Sequence, residues 1–219
     1  MKLLVLSDTH LDLPFEEKKF KFLKKIISTA DRVIINGDFW EGYNINFKQF
    51  INSPWKNLFS LLRSKKTIYL YGNHDRKHYS NKQTFLFSIL QTQQYKMRLN
   101  GKTLVFEHGN RLMPLIDETH PNVFNLIKKT NILGFIHKEL VRKSGSKFFR
   151  HFLNMQNKAI KKRIKQELKN NEIFICGHTH SAEFDLKNNF INTGFIKYGL
   201  AQYLIVDSHK LTPKEEWYD

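Results

Sequence analysis

Short apolar runs that stop abruptly at polar residues recur along the first third of the chain. Lys2–Leu6 runs into Ser7-Asp8-Thr9-His10, Arg32–Ile35 into Asn36-Gly37-Asp38, and Thr67–Tyr71 into Gly72-Asn73-His74-Asp75. Runs of this length bounded by turn residues predict buried strands, each with a polar loop at its carboxyl end. Between the first two, Phe15–Thr29 sets Phe15, Phe20, Phe22, Leu23, Ile26 and Ile27 near the helical period, and Phe47–Arg63 predicts a weaker helix interrupted at Pro54. Strand and helix alternate, which predicts an α/β fold. In open α/β sheets ligands collect at the carboxyl ends of the strands, so these loops should meet at one site.

The second half changes character. Tyr95–Leu99 and Thr103–Phe106 predict a hairpin around Asn100-Gly101, and the second strand leads into Glu107-His108-Gly109-Asn110. Between Arg111 and Asn170 the strand patterns vanish, and Val123–Thr130, Leu133–Arg142 and Phe148–Leu168 predict helices. Phe174-Ile175-Cys176 then ends at Gly177, where the chain can turn sharply and offer His178 and His180 to one point. Ala182–Leu186, Phe190–Asn192 and Leu200–Val206 are expected in a second sheet, and Lys210–Asp219 as a partly ordered tail. No internal repeat is present.

Composition adjusts this picture modestly. The 219 residues fit one domain, 1–219, with a helical, basic insertion at 111–170. Met1–Leu6 gives way to Ser7-Asp8 too early for a signal peptide or a membrane span. The single cysteine, Cys176, allows no internal disulfide and is expected as a small buried hydrophobe in a reducing, cytoplasmic setting. A net charge of +16 points to an anionic partner, although four Ala beside abundant Lys, Asn, Ile and Phe is also the bias of an AT-rich genome. The insertion carries fourteen Lys or Arg against four Asp or Glu, interleaved with Phe124, Leu126, Ile127, Phe135, Ile136, Phe148, Phe149, Phe152 and Leu153. Amphipathic helices of this kind can cap a site and touch anionic lipid. The alternative is a helical lid with a solvated basic face.

The chemistry lies in the loops. Asp8, His10, Asp38, Asn73, His108, His178 and His180 mix carboxylate and amide oxygens with imidazole nitrogens, a donor set that suits Mn, with Fe or Zn as alternatives, better than Ca. Seven ligands exceed the needs of one ion, so two divalent ions about 3.5–4 Å apart with a shared carboxylate are expected. Each loop alone could be turn chemistry, since Asp and Asn beside Gly commonly make turns. Five such loops at five strand ends argue for a site.

Asp8-Thr9-His10, Gly37-Asp38, Gly72-Asn73-His74-Asp75, His108-Gly109 and Gly177-His178-Thr179-His180, in this order, resemble the five signature blocks of the calcineurin-like metallophosphoesterases. The resemblance spans nearly the whole chain and implies a four-layer αββα sandwich with a dinuclear centre between two sheets. It implies that Asp8, His10 and His180 hold one ion, that Asn73, His108 and His178 hold the other, and that Asp38 bridges both. The implied reaction is hydrolysis of a phosphate or pyrophosphate ester by a hydroxide bridging the metals. His74 is expected to contact the phosphate or protonate the leaving oxygen, with Asp75 holding its ring in the right tautomer. His78, His120, His137, His151 and His209 lie outside the blocks and are expected to be ordinary polar residues.

Within the superfamily the chain is most similar to the UDP-2,3-diacylglucosamine pyrophosphatases. The similarity rests on Asp8-Thr9-His10-Leu11, Phe39-Trp40-Glu41, the helical insertion and Ile191-Asn192-Thr193-Gly194. It implies a lipid-linked nucleotide substrate of lipid A synthesis, cleaved at the cytoplasmic face of the inner membrane. Those enzymes carry Arg in place of His74 and Asp in place of Asn110. The alternative is a nucleic-acid or nucleotide phosphodiesterase whose basic insertion tracks a phosphate backbone. A non-catalytic scaffold is disfavoured because no ligand position is missing.

Overall fold

The computed structural model describes residues 1–120, 138–143, 146–208 and 210–218, with the side chains of all of these except 116–117 and 146–153. The first apolar runs form β1 (Leu3–Leu6), β2 (Arg32–Asn36) and β3 (Ile68–Leu70), joined by β4 (Leu90–Thr92), which the sequence reading missed. All four are parallel, with Leu3 beside Arg32, Ile34 beside Ile68, and Ile68 beside Leu90. α1 (Glu17–Ser28) buries Phe22, Leu23, Ile26 and Ile27 against this sheet. The second helical stretch is divided at Pro54, as expected. α2 (Phe47–Asn52) opens on a reciprocal cap between Asn46 and Gln49 and stops at Ser53, and a tight turn at Pro54–Leu58 leads into α3 (Phe59–Ser64).

The second sheet contains β5 (Gln94–Leu99), β6 (Lys102–Glu107), β7 (Glu172–Cys176), β8 (Glu183–Asp185) and β9 (Phe190–Asn192), in the order β5-β6-β7-β9-β8. The β5–β6 hairpin turns at Asn100 and Gly101, both left-handed, as the sequence predicted.

Two expectations are corrected. Leu200–Val206, β11, does not join the second sheet; after the two-residue strand β10 (Ile196–Lys197) it returns antiparallel to β1 in the first, with Leu3 beside Val206. The supposed tail is β12 (Leu211–Trp217), paired along all seven residues of β11. Its polar sequence suits an edge strand whose order comes from the backbone ladder and from Tyr218, stacked 5.3 Å from Phe22.

Three apolar clusters separate four layers. One packs α1, α2 and α3 onto the first sheet around Trp40, Phe50, Trp55 and Phe87. The second fills the space between the sheets, Leu3, Val5, Ile34, Ile68 and Leu70 facing Leu104, Phe106, Ile173, Ile175 and Ile191. The third seats the long helix Ser146–Ile164 on the outer face of the second sheet through Ile160, Ile164, Val105, Phe174 and Cys176. Cys176 is buried and free. The result is the α/β four-layer sandwich expected of the sequence. The expected helix Val123–Thr130 lies outside the described residues, as do residues 133–137 of the next; 138–143 are helical.

The layers are tied at the carboxyl ends of their strands. Asn36, fully buried at the end of β2, donates from Nδ2 to the carbonyls of Glu107 (3.3 Å) and Ile175 (3.0 Å), which brings the ends of β6 and β7 to the end of β2.

Candidate metal centre

The five loops converge where Asn36 clamps the sheets. Five of the seven candidate ligands, Asp8, His10, Asp38, His178 and His180, adopt left-handed backbone (φ 43–69°). Non-glycine residues seldom do so, and such strain collects at functional sites. The glycines beside them are required by close approach: a Cβ on Gly72 would lie 2.1 Å from Asp38 Oδ1, and one on Gly177 would lie 2.1 Å from Asp8 Oδ2.

Both carboxylates are held in the same way. Asp8 Oδ2 accepts from the His178 amide (2.9 Å) and Asp38 Oδ1 from the His74 amide (2.9 Å), so in each the other oxygen is turned toward imidazoles. Asp8 Oδ1 lies 3.2 Å from His180 Nε2 and 3.9 Å from His10 Nε2, and these two nitrogens are 3.2 Å apart. Asp38 Oδ2 lies 3.2 Å from His108 Nε2 and 3.8 Å from His10 Nε2. Asn73 Oδ1 is 3.1 Å from His108 Nε2 and 3.0 Å from His178 Nδ1. Asp8, His10 and His180 therefore form one donor group; Asn73, His108 and His178 form a second; Asp38 stands between them.

The opposite ring nitrogens fix which faces turn inward. His108 Nδ1 donates to the Asn36 carbonyl (2.9 Å), His178 Nε2 to the Met113 carbonyl (2.6 Å), and His10 Nδ1 to Glu41 Oε2 (3.0 Å). In His10 and His178, both neutral, the N–H committed on one side leaves the lone pair on the other, the arrangement that orients metal-binding histidines; His108 is turned the same way and presents Nε2 to Asp38 and Asn73.

Electrostatics point the same way. Burial pushes the Asp8 carboxyl up, but His108 and His180 outweigh it and hold it at about 2; burial likewise raises Asp38, which His108 and His74 bring well below the usual carboxylate range. Burial and the neighbouring His74 lower His10 to about 4, and burial with His108 lowers His178 to about 4, so both keep neutral rings. Burial would also lower His108, yet the facing Asp38 and Asp8 lift it to about 10. Two ionised carboxylates in a nearly solvent-free pocket thus draw positive charge to themselves, and His108 is the ring that answers them. Asp8 Oδ1 is buried without a properly directed hydrogen bond. This donor set fits divalent cations, and local clusters of Asp8, His10 and His180 and of Asp8, Asp38 and His108 have the required proximity.

His74 stands at the opening, 16% exposed, with the Tyr43 ring 4.3 Å away. The expectation that Asp75 orients it is corrected. Asp75 is fully buried and accepts from the amides of Gly72 (2.7 Å), Asp38 (3.1 Å) and Phe39 (2.6 Å), so its carboxylate is committed to pinning the loops rather than to the His74 ring. The partner on the His74 ring is Glu41, whose Oε1 takes Nδ1–H at 2.6 Å while Oε2 takes that of His10. Sequence reading saw Glu41 only as part of an aromatic-acidic stretch. Its one available signal was a lone acid three residues after Asp38.

The insertion reaches the centre at both ends. Besides the Met113 carbonyl on His178, Asn157 of the long helix, fully buried, donates to the Ser181 carbonyl (2.8 Å) and Glu183 Oε2 (2.9 Å) and accepts from Thr179 Oγ1 (2.7 Å). Lys161 pairs with Glu183 (2.6 Å) and Asp185 (2.8 Å), and the Arg163 guanidinium donates to the Leu112 carbonyl. Of the histidines outside the blocks, His78 and His120 are described and stand apart from the centre, His78 against Tyr79 and His120 against Thr119. His137, His209 and the His151 side chain lie outside the described residues.

A sandwich carrying oxygen and imidazole donors at its strand ends defines a metal-site fold of the phosphoesterase type. The sequence pattern of the calcineurin-like phosphoesterases matches residues 1–182, and the chain belongs to that family. No curated protein sequence matches it. Among solved structures, Vps29 from Entamoeba histolytica shares the fold. A single mutant is 15% identical over 98% of this chain and 91% of that chain, with a TM-score of 0.50. The wild type complexed with Zn2+ is 12% identical over all of both chains, also with a TM-score of 0.50. YfcE, a phosphoesterase from E. coli, is 18% identical over 96% of this chain and 91% of that one, with a TM-score of 0.48.

Proposed function

We propose that this chain is a dinuclear, metal-dependent phosphoesterase. Asp8, His10 and His180 hold one divalent ion, Asn73, His108 and His178 hold the other, and Asp38 bridges them; Mn is the proposed metal, with Fe or Zn as alternatives. The observation that carries the reading is the position of Asp38 Oδ2, within 3.8 Å of an imidazole nitrogen from each donor group while its partner oxygen is fixed by a backbone amide. Two bound divalent ions supply an activated water and polarise the phosphoryl oxygens.

The chain's own residues supply the rest. His74 directs its Nδ1–H to Glu41, which turns Nε2 toward the Asp38 side of the centre, 3.9 Å from Asp38 Oδ2, where it would meet a phosphoryl or leaving oxygen. Tyr43 limits the rotation of that ring. The proposed substrate is a lipid-linked nucleotide of the UDP-diacylglucosamine type, met by a cytoplasmic protein peripheral to the inner membrane, with the 111–170 insertion of a single 1–219 domain covering the acyl chains. Support for this comes from the sequence similarity quoted above and from the insertion's attachment to the centre through Met113 and Asn157.

The test compares turnover of a UDP-diacylglucosamine with that of a single-stranded oligonucleotide at matched low salt with Mn. Faster turnover of the lipid nucleotide supports the reading, and its loss when Phe148, Phe149 and Phe152 become Ser, with bis-p-nitrophenyl phosphate hydrolysis retained, assigns the acyl contact to the insertion. Preference for the oligonucleotide replaces the lipid substrate with a nucleic acid.

A further inference from the structure

Four of the six residues from Phe85 to Leu90 expose large apolar side chains: Phe85 and Leu86 at 47%, Ile89 at 40% and Leu90 at 42%. The segment is not loose. Phe87 between them is fully buried, Asn81 caps the preceding turn through the Gln83 amide (2.8 Å), and the Ile89 amide donates to the Thr67 carbonyl (2.8 Å). Arg63 donates to the carbonyls of Phe85 and Ser88. The fold thus holds an apolar face outward on β4, the edge strand of its sheet.

The charge around this face is one-sided. Along the segment that carries it, from Arg63 to Leu90, the chain has six Lys or Arg and a single acid, Asp75, which is fully buried. Arg63, Lys66 and Lys82 are exposed; Arg63 holds the Phe85 and Ser88 carbonyls, Lys66 precedes Thr67, whose carbonyl takes the Ile89 amide, and Lys82 opens the turn that carries Phe85 and Leu86. This excess lies outside the 111–170 insertion.

An exposed apolar cluster ringed by basic groups narrows the choice of partner. A second copy would bring two rings of like charge together. A nucleic acid would be served by stacking aromatics, yet three of the four exposed residues are aliphatic. Aliphatic and aromatic insertion combined with basic headgroup contacts is the chemistry of an anionic lipid surface. We propose that this face seats the protein on anionic lipid, with Phe85, Leu86, Ile89 and Leu90 entering the headgroup layer and Arg63, Lys66 and Lys82 meeting lipid phosphates. The surface is independent of the substrate reading, since it uses no residue of the metal centre or the insertion.

The experiment is co-sedimentation of the full chain with phosphatidylcholine vesicles prepared with and without phosphatidylglycerol. The protein should partition onto the anionic vesicles only. Changing Phe85→Ser and Leu86→Ser together should lower that partitioning about tenfold or more, and Lys82→Gln about fivefold, while hydrolysis of bis-p-nitrophenyl phosphate stays at the wild-type rate. If the double variant misfolds, Leu86→Ser alone carries the test, with a smaller fall in partitioning expected. Equal binding to neutral vesicles, or partitioning unmoved by these substitutions, overturns the proposal. So does a wild-type dimer that the Phe85 and Leu86 changes dissociate, or an oligonucleotide affinity that they abolish.

Discussion

Glu41→Gln is the most informative single change at this centre, because one carboxylate serves two rings. Glu41 is 6% exposed and accepts Nδ1–H from His10 at 3.0 Å and from His74 at 2.6 Å. Gln keeps the shape but offers one acceptor oxygen, so it can satisfy only one ring. The shorter contact favours His74, and His10 is then left facing an amide N–H. A hydrogen bond to a charged group contributes about 1.5–3 kcal/mol, and loss of an outer partner of a metal-binding histidine typically costs about 10–100-fold in metal affinity. Calorimetric titration of the metal-free protein with Mn should therefore show one of two binding phases weakened by about 10–100-fold, the phase belonging to Asp8, His10 and His180. Turnover of bis-p-nitrophenyl phosphate should fall at limiting Mn and recover substantially at high Mn. Two unchanged phases with a full rate would refute the orienting role. Equal weakening of both phases together with a lower melting temperature would make Glu41 a general support of the fold.

Other changes test the centre from different directions. Asp38→Asn should cut turnover by several orders of magnitude while circular dichroism and melting stay near wild type, since the residue sits in a loop; near-normal turnover with two metals bound would exclude the bridging role. His74→Ala should lower the maximal rate by about 10²–10⁴ with metal content unchanged, and a lost metal ion would reassign it as a ligand. Gly72→Ala places a Cβ 2.1 Å from Asp38 Oδ1, so the carboxylate must shift, and turnover should fall by about 10² with a reduced second Mn equivalent. Lys19, on α1, is fully buried, and its burial lowers it from 10.5 to about 8 despite the contact with Glu16. Between those values the unfolded chain binds the extra proton, so stability should rise with pH from about 8 to about 10.5, by on the order of 3 kcal/mol. Urea titrations across that range should show the rise, and Lys19→Met should flatten it.

What could be read from the sequence followed the range of the interactions. The loop residues were legible because carboxylates, amides and imidazoles recur at strand ends, a pattern that depends on local order alone. The division of the second helix at Pro54 was legible for the same reason. Partnerships across the sheets were not. β11 is as apolar as any second-sheet strand, and only its pairing with β1 decides its place. β12 is polar because it is an edge, so its order comes from a ladder that periodicity does not record. Asp75 follows His74 in sequence, yet the backbone turns its carboxylate inward onto three amides. Glu41, from another loop, takes the position that adjacency had suggested for Asp75.

The contacts of Met113 and Asn157 limit how this fold can be rebuilt. The segment 111–170 reads as an addition to a complete five-loop scaffold, one that could be exchanged to change substrate. However, the Met113 carbonyl fixes which nitrogen His178 turns inward, and Asn157 anchors Thr179 between the two loop histidines. A chimera that kept all five loops and took its insertion from a relative would lose both partners and with them the set of the His178–His180 turn. Such grafts should retain the sandwich yet bind metal poorly unless a carbonyl and an amide are restored at those two points. A change made in the insertion therefore reaches the His178–His180 turn as well.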